Sequence, residues 1–169
     1  MRSLIVIAHD IRSCHNIGSL LRTAEGLGVE RVLFSGYTPF PSLPDDGRLP
    51  HIRRKIDAAI HKTALGAETL VSWSHHPDIM PALAELRRND YHIVGLEQHA
   101  NSILLPDYAP PDKLALLIGR EVEGLDDRLI SECDTLLEIP MLGQKESYNV
   151  VQATAMALYH CRWPAPTAP

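Results

Sequence analysis

At 169 residues, with 45% hydrophobic and 22% charged side chains, the chain has the size and make-up of one globular domain with its own core. Three cysteines (Cys14, Cys133, Cys161) are odd in number and far apart, which excludes a disulfide framework and a paired-cysteine metal site. A net charge of −5 argues against a broad nucleic-acid-binding face, because phosphate contacts supply most of that affinity.

The first element is a strand over Ser3 to Ala8 (SLIVIA), an apolar run of strand length bounded by polar residues. Asn16 then introduces a helix, NIGSLLRTAEGLG, whose Ile17, Leu20, Leu21, Ala24 and Leu27 share one face. Gly28 stands where that helix stops. Arg31 to Ser35 is the second strand. The stretch from Gly36 to Pro50 carries Pro39, Pro41 and Pro44 as well and predicts a long irregular loop, a length usually tied to function.

A helix is expected over Ile52 to Ala64, a strand near Thr69 to Trp73, and a helix from Pro77 to about Arg88. Tyr91 to Leu96 and Leu114 to Ile118 predict buried strands, Asp126 to Cys133 a short helix, and Thr135 to Ile139 another strand. The last helix, from about Val150 to Cys161, is apolar almost all round, which calls for burial on more than one side; a subunit interface is one way to supply it. Strands alternating with helices predict a single α/β domain over 1–163, with a largely parallel sheet and helices on both faces. Residues 164–169 (PAPTAP) are expected to form a flexible tail.

Familiar site signatures fail. Gly26 and Gly28 give only part of a dinucleotide fingerprint, Leu125 stands where a phosphate-loop lysine belongs, and no zinc-protease helix or paired CxxC occurs. His75–His76 reads as a surface pair rather than a ligand set, so no metal is expected. No apolar run approaches the ~20 residues of a membrane span, and the opening MRSLIVIAHD is too short for a secretory leader. A cytoplasmic protein without membrane contact is the expectation.

Three segments put small or polar residues at strand ends, where open α/β sheets bind ligands. They are Asn16-Ile-Gly-Ser-Leu-Leu-Arg22-Thr, then Gly119-Arg-Glu121-Val-Glu-Gly124 after an apolar strand, then Ile139-Pro-Met141 followed by Ser147-Tyr148-Asn149 before the closing helix. Singly each has a structural explanation. Asn16 and Asn149 are both placed to cap helices, and Arg22 lies about 150° from the centre of the apolar stripe, where a solvated arginine sits. In this order and spacing, and with the segment His61 to Glu68 before the third strand, they resemble the three motifs of the SpoU (TrmH-like) RNA 2′-O-methyltransferases of the SPOUT superfamily. The resemblance covers essentially the whole chain.

That resemblance implies a C-terminal trefoil knot, which no residue pattern predicts, and a homodimer. It implies S-adenosyl-L-methionine as cofactor, held around Leu96, Gly119, Ile139, Met141, Ser147 and Tyr148. It further implies methyl transfer to a ribose 2′-hydroxyl of structured RNA, tRNA ahead of rRNA, through Arg22, Asn16, Glu121, Ser147 and Asn149. Because an arginine is effectively always protonated, bidentate clamping of a phosphate suits Arg22 better than taking a proton.

The third motif departs from the usual S-L-N-V-S: Tyr148 adds bulk and Val151 removes a hydroxyl. RNA grip must come from Arg22 with Arg53, Arg54 and Lys55 in the basic stretch between Arg48 and Lys62, from a groove between protomers, or from an accessory protein. Two other readings stay open: a non-catalytic S-adenosylmethionine- or RNA-binding module keeping the fold, and a base methyltransferase.

Overall fold

The computed structural model describes residues 1–163; the expected tail, 164–169, lies outside the described residues. Seven strands form one parallel sheet: β1 (Ser3–His9), β2 (Arg31–Ser35), β3 (Trp73–His76), β4 (His92–Leu96), β5 (Ile103–Leu104), β6 (Lys113–Ile118) and β7 (Thr135–Glu138), in the order β3-β2-β1-β6-β4-β7-β5. Five α-helices connect them: α1 (Cys14–Gly26), α2 (Pro50–Ala64), α3 (Met80–Arg88), α4 (Asp127–Ser131) and α5 (Val150–Arg162). The order is consistent with the knotted fold that the resemblance implies.

Alternation along each strand builds two cores. Leu4, Val6 and Ala8 of β1 face α1, α2 and α5, joining Ile17, Leu20, Leu21, Ile60, Ala157 and Leu158. Ile5 and Ile7 face the other way, against Leu83 and Leu86 of α3 and Leu129 of α4. Period-2 side-chain placement therefore covers both sheet faces with helices, as a parallel sheet requires. The central strands β1 and β6 are apolar on both sides and buried through their middles.

Helix α1 begins two residues before Asn16. Ser13 is its N-cap and accepts a hydrogen bond from the Asn16 N–H, so Asn16 lies inside the first turn and its amide is free for other partners. This corrects the capping role expected of Asn16. At the other end Gly28 adopts the left-handed conformation expected of a helix stop.

Gly18 serves packing. A Cβ there would collide with the Ile60 carbonyl and the Thr63 hydroxyl of α2, and Thr63 Oγ1 donates to the His15 carbonyl at 2.8 Å. The two helices touch backbone to backbone.

The long proline-rich segment after β2 has fixed anchors. The Arg48 guanidinium lies 3.9 Å from the Phe40 ring centroid and ion-pairs with Asp46, while Phe40 stacks on His75 at 4.0 Å. Ser42 donates to Asp57 of α2 from both its backbone and its hydroxyl. His75 also bonds the Gly36 carbonyl and His76 the Ser74 hydroxyl, so both histidines are structural.

Two expectations shift. The strand expected near Thr69 to Trp73 begins at Trp73, because Ala67–Thr69 forms a single 3-10 turn whose exit carries Trp73 into register with Val32. Helix α3 starts at Met80 rather than Pro77.

Helix α5 buries one face, with Val151, Thr154, Ala157, Leu158, Cys161 and Arg162. Buried Arg162 donates to the carbonyls of Leu27 at 3.1 Å and Gly28 at 2.7 Å, and to that of Arg2. Its charge sits at the C-terminal end of α1, where the helix dipole favours a cation. The opposite face leaves Tyr159 and Trp163 60% and 56% exposed, their rings 5.0 Å apart, beside half-exposed Met156. Among the described residues no helix is long and apolar enough to cross a membrane.

Candidate active site

A cleft of about 280 Å³ opens where β4, β6 and β7 end, lined by Leu96, Ile118, Gly119, Glu121, Leu137, Ile139, Ser147, Tyr148, Val150 and Ala153 among others. It lies at the carboxyl edge of the sheet, beside the point where strand order reverses, the usual ligand position in open α/β folds. Five of the six residues expected to hold the cofactor line it: Leu96, Gly119, Ile139, Ser147 and Tyr148. Met141 does not; it lies half-buried just past the β7 end.

One wall is the hairpin after β6. Arg120 and Gly124 exchange backbone hydrogen bonds at 3.2 and 3.1 Å, which folds Glu121, Val122 and Glu123 into a tight loop. Glycine is needed at both ends. A Cβ on Gly119 would lie 2.5 Å from the Gly124 carbonyl oxygen, and Gly124 has φ 69 with the Glu97 carboxylate against its α-carbon. Gly119 thus admits the hairpin's own returning backbone, in addition to bordering the cleft. Glu97 Oε2 accepts the Leu125 N–H at 2.7 Å and holds the hairpin to the end of β4.

The hairpin delivers Glu121 to the start of α1. Its carboxylate accepts the backbone N–H groups of Arg12 at 3.2 Å and Ser13 at 3.1 Å, and the Asn16 side-chain amide at 3.2 Å. Burial pushes the Glu121 pKa up, but these backbone and side-chain donors outweigh it and hold the carboxyl below its usual range. Asn149 completes the chain: its Nδ2 donates to Asn16 Oδ1 at 3.3 Å, while its Oδ1 caps α5 by accepting the Val151 N–H at 2.9 Å. Three residues far apart in sequence therefore form one linked group, Glu121–Asn16–Asn149, beside the cleft. Ser147 lines the same cleft from the segment leading into Asn149.

Arg22 stands apart. Six residues after Asn16 on α1, it lies about 9 Å further along the helix axis and about 120° around it. Its side chain is exposed and makes no hydrogen bond or ion pair among the described residues. The basic stretch on α2 also divides. Arg48 is neutralised by Asp46, and His61 bonds Glu68 at 2.5 Å. Arg53, Arg54 and Lys55 keep no acidic partner among the described residues, with Arg54 and Lys55 exposed.

Sequence reasoning missed Glu97 and Gln98, which border the cleft from just past β4; Gln98 Nε2 donates to the Glu146 carbonyl at 2.8 Å and ties the third motif down. Their signal was only a polar pair after a buried strand. Among the described residues no cluster of histidine, cysteine and carboxylate side chains could hold a metal ion.

Residues 3–159 match the family model described as the SpoU rRNA Methylase family. The chain belongs to that family. It is 31% identical over 160 residues to a protein of Xylella fastidiosa named 23S rRNA (guanosine-2′-O-)-methyltransferase RlmB, covering 94% of this chain and 57% of that one. The chain thus spans little over half the length of the curated relatives it matches. Among solved structures, an AdoMet-bound rRNA methyltransferase from Sinorhizobium meliloti superposes with a TM-score of 0.78 at 21% identity, covering 96% of this chain and 57% of that one. The TrmH/SpoU tRNA modifying enzyme of A. aeolicus gives 0.77 at 20% identity, covering 96% and 75%. At those identities the structural likeness speaks for the fold.

Proposed function

We propose that this chain is the catalytic domain of an S-adenosylmethionine-dependent RNA 2′-O-methyltransferase acting on ribosomal RNA. The observation that carries the proposal is the Glu121–Asn16–Asn149 hydrogen-bonded chain set against a cleft at the carboxyl edge of the sheet. Ribosomal RNA displaces the tRNA first expected, because curated relatives matched over nearly this whole chain are named for 23S rRNA.

The cleft residues fit the cofactor. Leu96, Ile118, Leu137 and Ile139 offer apolar walls for an adenosine. From Pro140 to Tyr148 the only backbone group bonded to the rest of the chain, among the described residues, is the Glu146 carbonyl, which leaves a run of amides and carbonyls to read an adenine edge. Glu97 and Glu121 give the cleft the negative charge that suits a cationic ligand. When bound, this cofactor supplies a methyl group carried on a sulfonium centre.

The chain's own residues then position the acceptor. Glu121, with its charge fixed by three donors, orients Asn16 and the acceptor ribose and is poorly suited to take a proton. Ser147 and Asn149 border the same space, and alignment of this kind makes a two-body reaction effectively unimolecular. Arg22 clamps the phosphate next to the reacting hydroxyl and stabilises the charge that develops there. Since one chain separates Arg22 from Asn16, we propose that it acts across a homodimer, with the Met156–Tyr159–Trp163 face of α5 packed against the second copy.

The test is transfer of labelled methyl from S-adenosylmethionine to purified rRNA and tRNA, followed by nuclease digestion and mass spectrometry of the nucleosides. A 2′-O-methylated nucleoside from rRNA is the expected product. Label on a base, or cofactor binding with no label in any RNA, overturns the proposal.

A further inference from the structure

We infer that Arg12 and Tyr37 form a stacking step that holds a nucleobase of the RNA strand beside the nucleotide being modified. The inference rests on the cleft being an RNA methyltransferase site. Arg12 donates its backbone N–H to both carboxylate oxygens of Glu121 at 3.2 Å, so its side chain springs from the rim of the linked polar group. Its guanidinium carbon lies 6.0 Å from the centroid of the Tyr37 ring, and both side chains are exposed, Tyr37 by 51%.

This exposed pair stands on a buried frame. Asp10 is 8% exposed and adopts φ 55, a left-handed conformation uncommon outside glycine. Its Oδ1 accepts the Tyr37 N–H at 3.1 Å, and its Oδ2 meets Arg120 Nη2 at 3.2 Å and His9 Nε2 at 3.3 Å. His9 in turn bonds the Ser35 hydroxyl at 2.8 Å. Buried Thr38 Oγ1 accepts the Ile11 N–H and lies 3.0 and 2.8 Å from the Ala8 and Ser35 carbonyls, which share its one proton. The ends of β1, β2 and β6 are thereby locked together, and the visible product of that lock is the placement of Tyr37 opposite Arg12. Rare backbone conformations held by surrounding structure cluster at functional sites.

The chemistry favours a base over a phosphate. Glu121 and Glu123 both lie close enough to Arg12 for their charges to act on it, so a phosphate seated there would meet two carboxylates. An uncharged base meets an aromatic face and a guanidinium plane, the surfaces on which unstacked RNA bases are held. Phosphates belong instead with Arg53, Arg54 and Lys55 on α2; Lys55 lies near enough to Cys14 for its charge to be felt at the start of α1.

Two measurements test this. In steady-state methylation of rRNA, Tyr37→Ala should raise KM for RNA about tenfold with kcat within about twofold, and Tyr37→Phe should restore it because the ring stacks without its hydroxyl. Arg12→Ala should raise KM less, with Arg12→Lys recovering only part, because a guanidinium plane stacks and an ammonium does not. The same effects should persist between low and moderate salt, whereas Arg88→Ala on α3, against the other sheet face, should change nothing. Independently of turnover, a single-stranded hexaribonucleotide carrying 2-aminopurine should be quenched on binding the intact chain and less so on binding Tyr37→Ala. Unchanged KM and quenching in Tyr37→Ala, or a defect that vanishes as salt is raised, overturns the stacking step. If the intact chain methylates no RNA, the function proposal falls, and the quenching result still decides whether the pair stacks a base.

Discussion

Two turns of α1 carry candidate site side chains held in opposite ways. At its start Asn16 is bonded on both sides, to Glu121 and to Asn149, and its neighbours Arg12 and Ser13 are bonded to the same carboxylate. Less than two turns later Arg22 points into solvent with no partner among the described residues. The difference separates preorganisation from recruitment. The first group is held by hydrogen bonds within its own chain, and under the proposed function the arginine is left to be engaged by RNA and a second protomer.

The strongest way to break this comparison is at Arg22. Arg22→Ala should lower kcat on the order of 10³-fold, the scale of losing a charge-stabilising donor, with the cofactor Kd from calorimetry within about twofold. If Arg22 serves the partner's cleft, mixing Arg22→Ala with Glu121→Ala protein should recover about one quarter of intact activity, since half the dimers then carry one whole site. No recovery on mixing would put Arg22 in its own chain's site.

Glu121→Gln should follow, with kcat down about 10²-fold, the scale of a misaligned reacting pair, because an amide cannot accept from all three donors while keeping their orientation. Its pH dependence has a defined sign. The folded carboxyl titrates below its usual range, so its stabilisation is complete above the unfolded value of about 4.3 and is lost as pH falls through the lowered folded value. The gap in Tm between the intact chain and Glu121→Gln should be full at pH 7 and close as pH drops below about 4. A gap that stays constant across that range would mean the carboxylate charge contributes nothing.

Asn149 sharpens the comparison, because it both caps α5 and bonds Asn16 in the candidate site. Asn149→Ala should cost about 1 kcal/mol for the cap, a fall of roughly 2–4 °C in Tm, together with activity. Asn149→Ser should restore the melting temperature and leave kcat low, since a serine caps but cannot reach Asn16 with an amide. Equal recovery of both would reduce Asn149 to a cap. The smallest effects belong to α2, where Arg54→Ala and Lys55→Ala should each raise KM for RNA a few-fold and flatten the salt dependence by about one unit of slope.

Much of this arrangement was legible in the sequence. Apolar runs of strand length gave β1, β2, β4, β6 and β7 because buried parallel strands are apolar on both faces; α1 followed from its periodicity and its stop, and α5 from an apolar stretch too long for a strand. β5 was not legible: two exposed residues, Ile103 and Leu104, have no pattern and exist only because β7 offers an edge. Asp10 was equally silent, since nothing about an aspartate after a strand announces a left-handed backbone that gathers His9, Arg120 and Tyr37. Gly18 carried a motif position but serves helix packing.

By itself the sequence determined the alternation of strands and helices, both apolar faces of the sheet, and which polar residues were candidates. It could do so because burial and period are local properties. Only the tertiary structure decided that Glu121, Asn16 and Asn149 form one hydrogen-bonded chain and that Arg22 stands outside it. Those facts depend on strand order and on hydrogen bonds between segments more than a hundred residues apart, which no local pattern encodes.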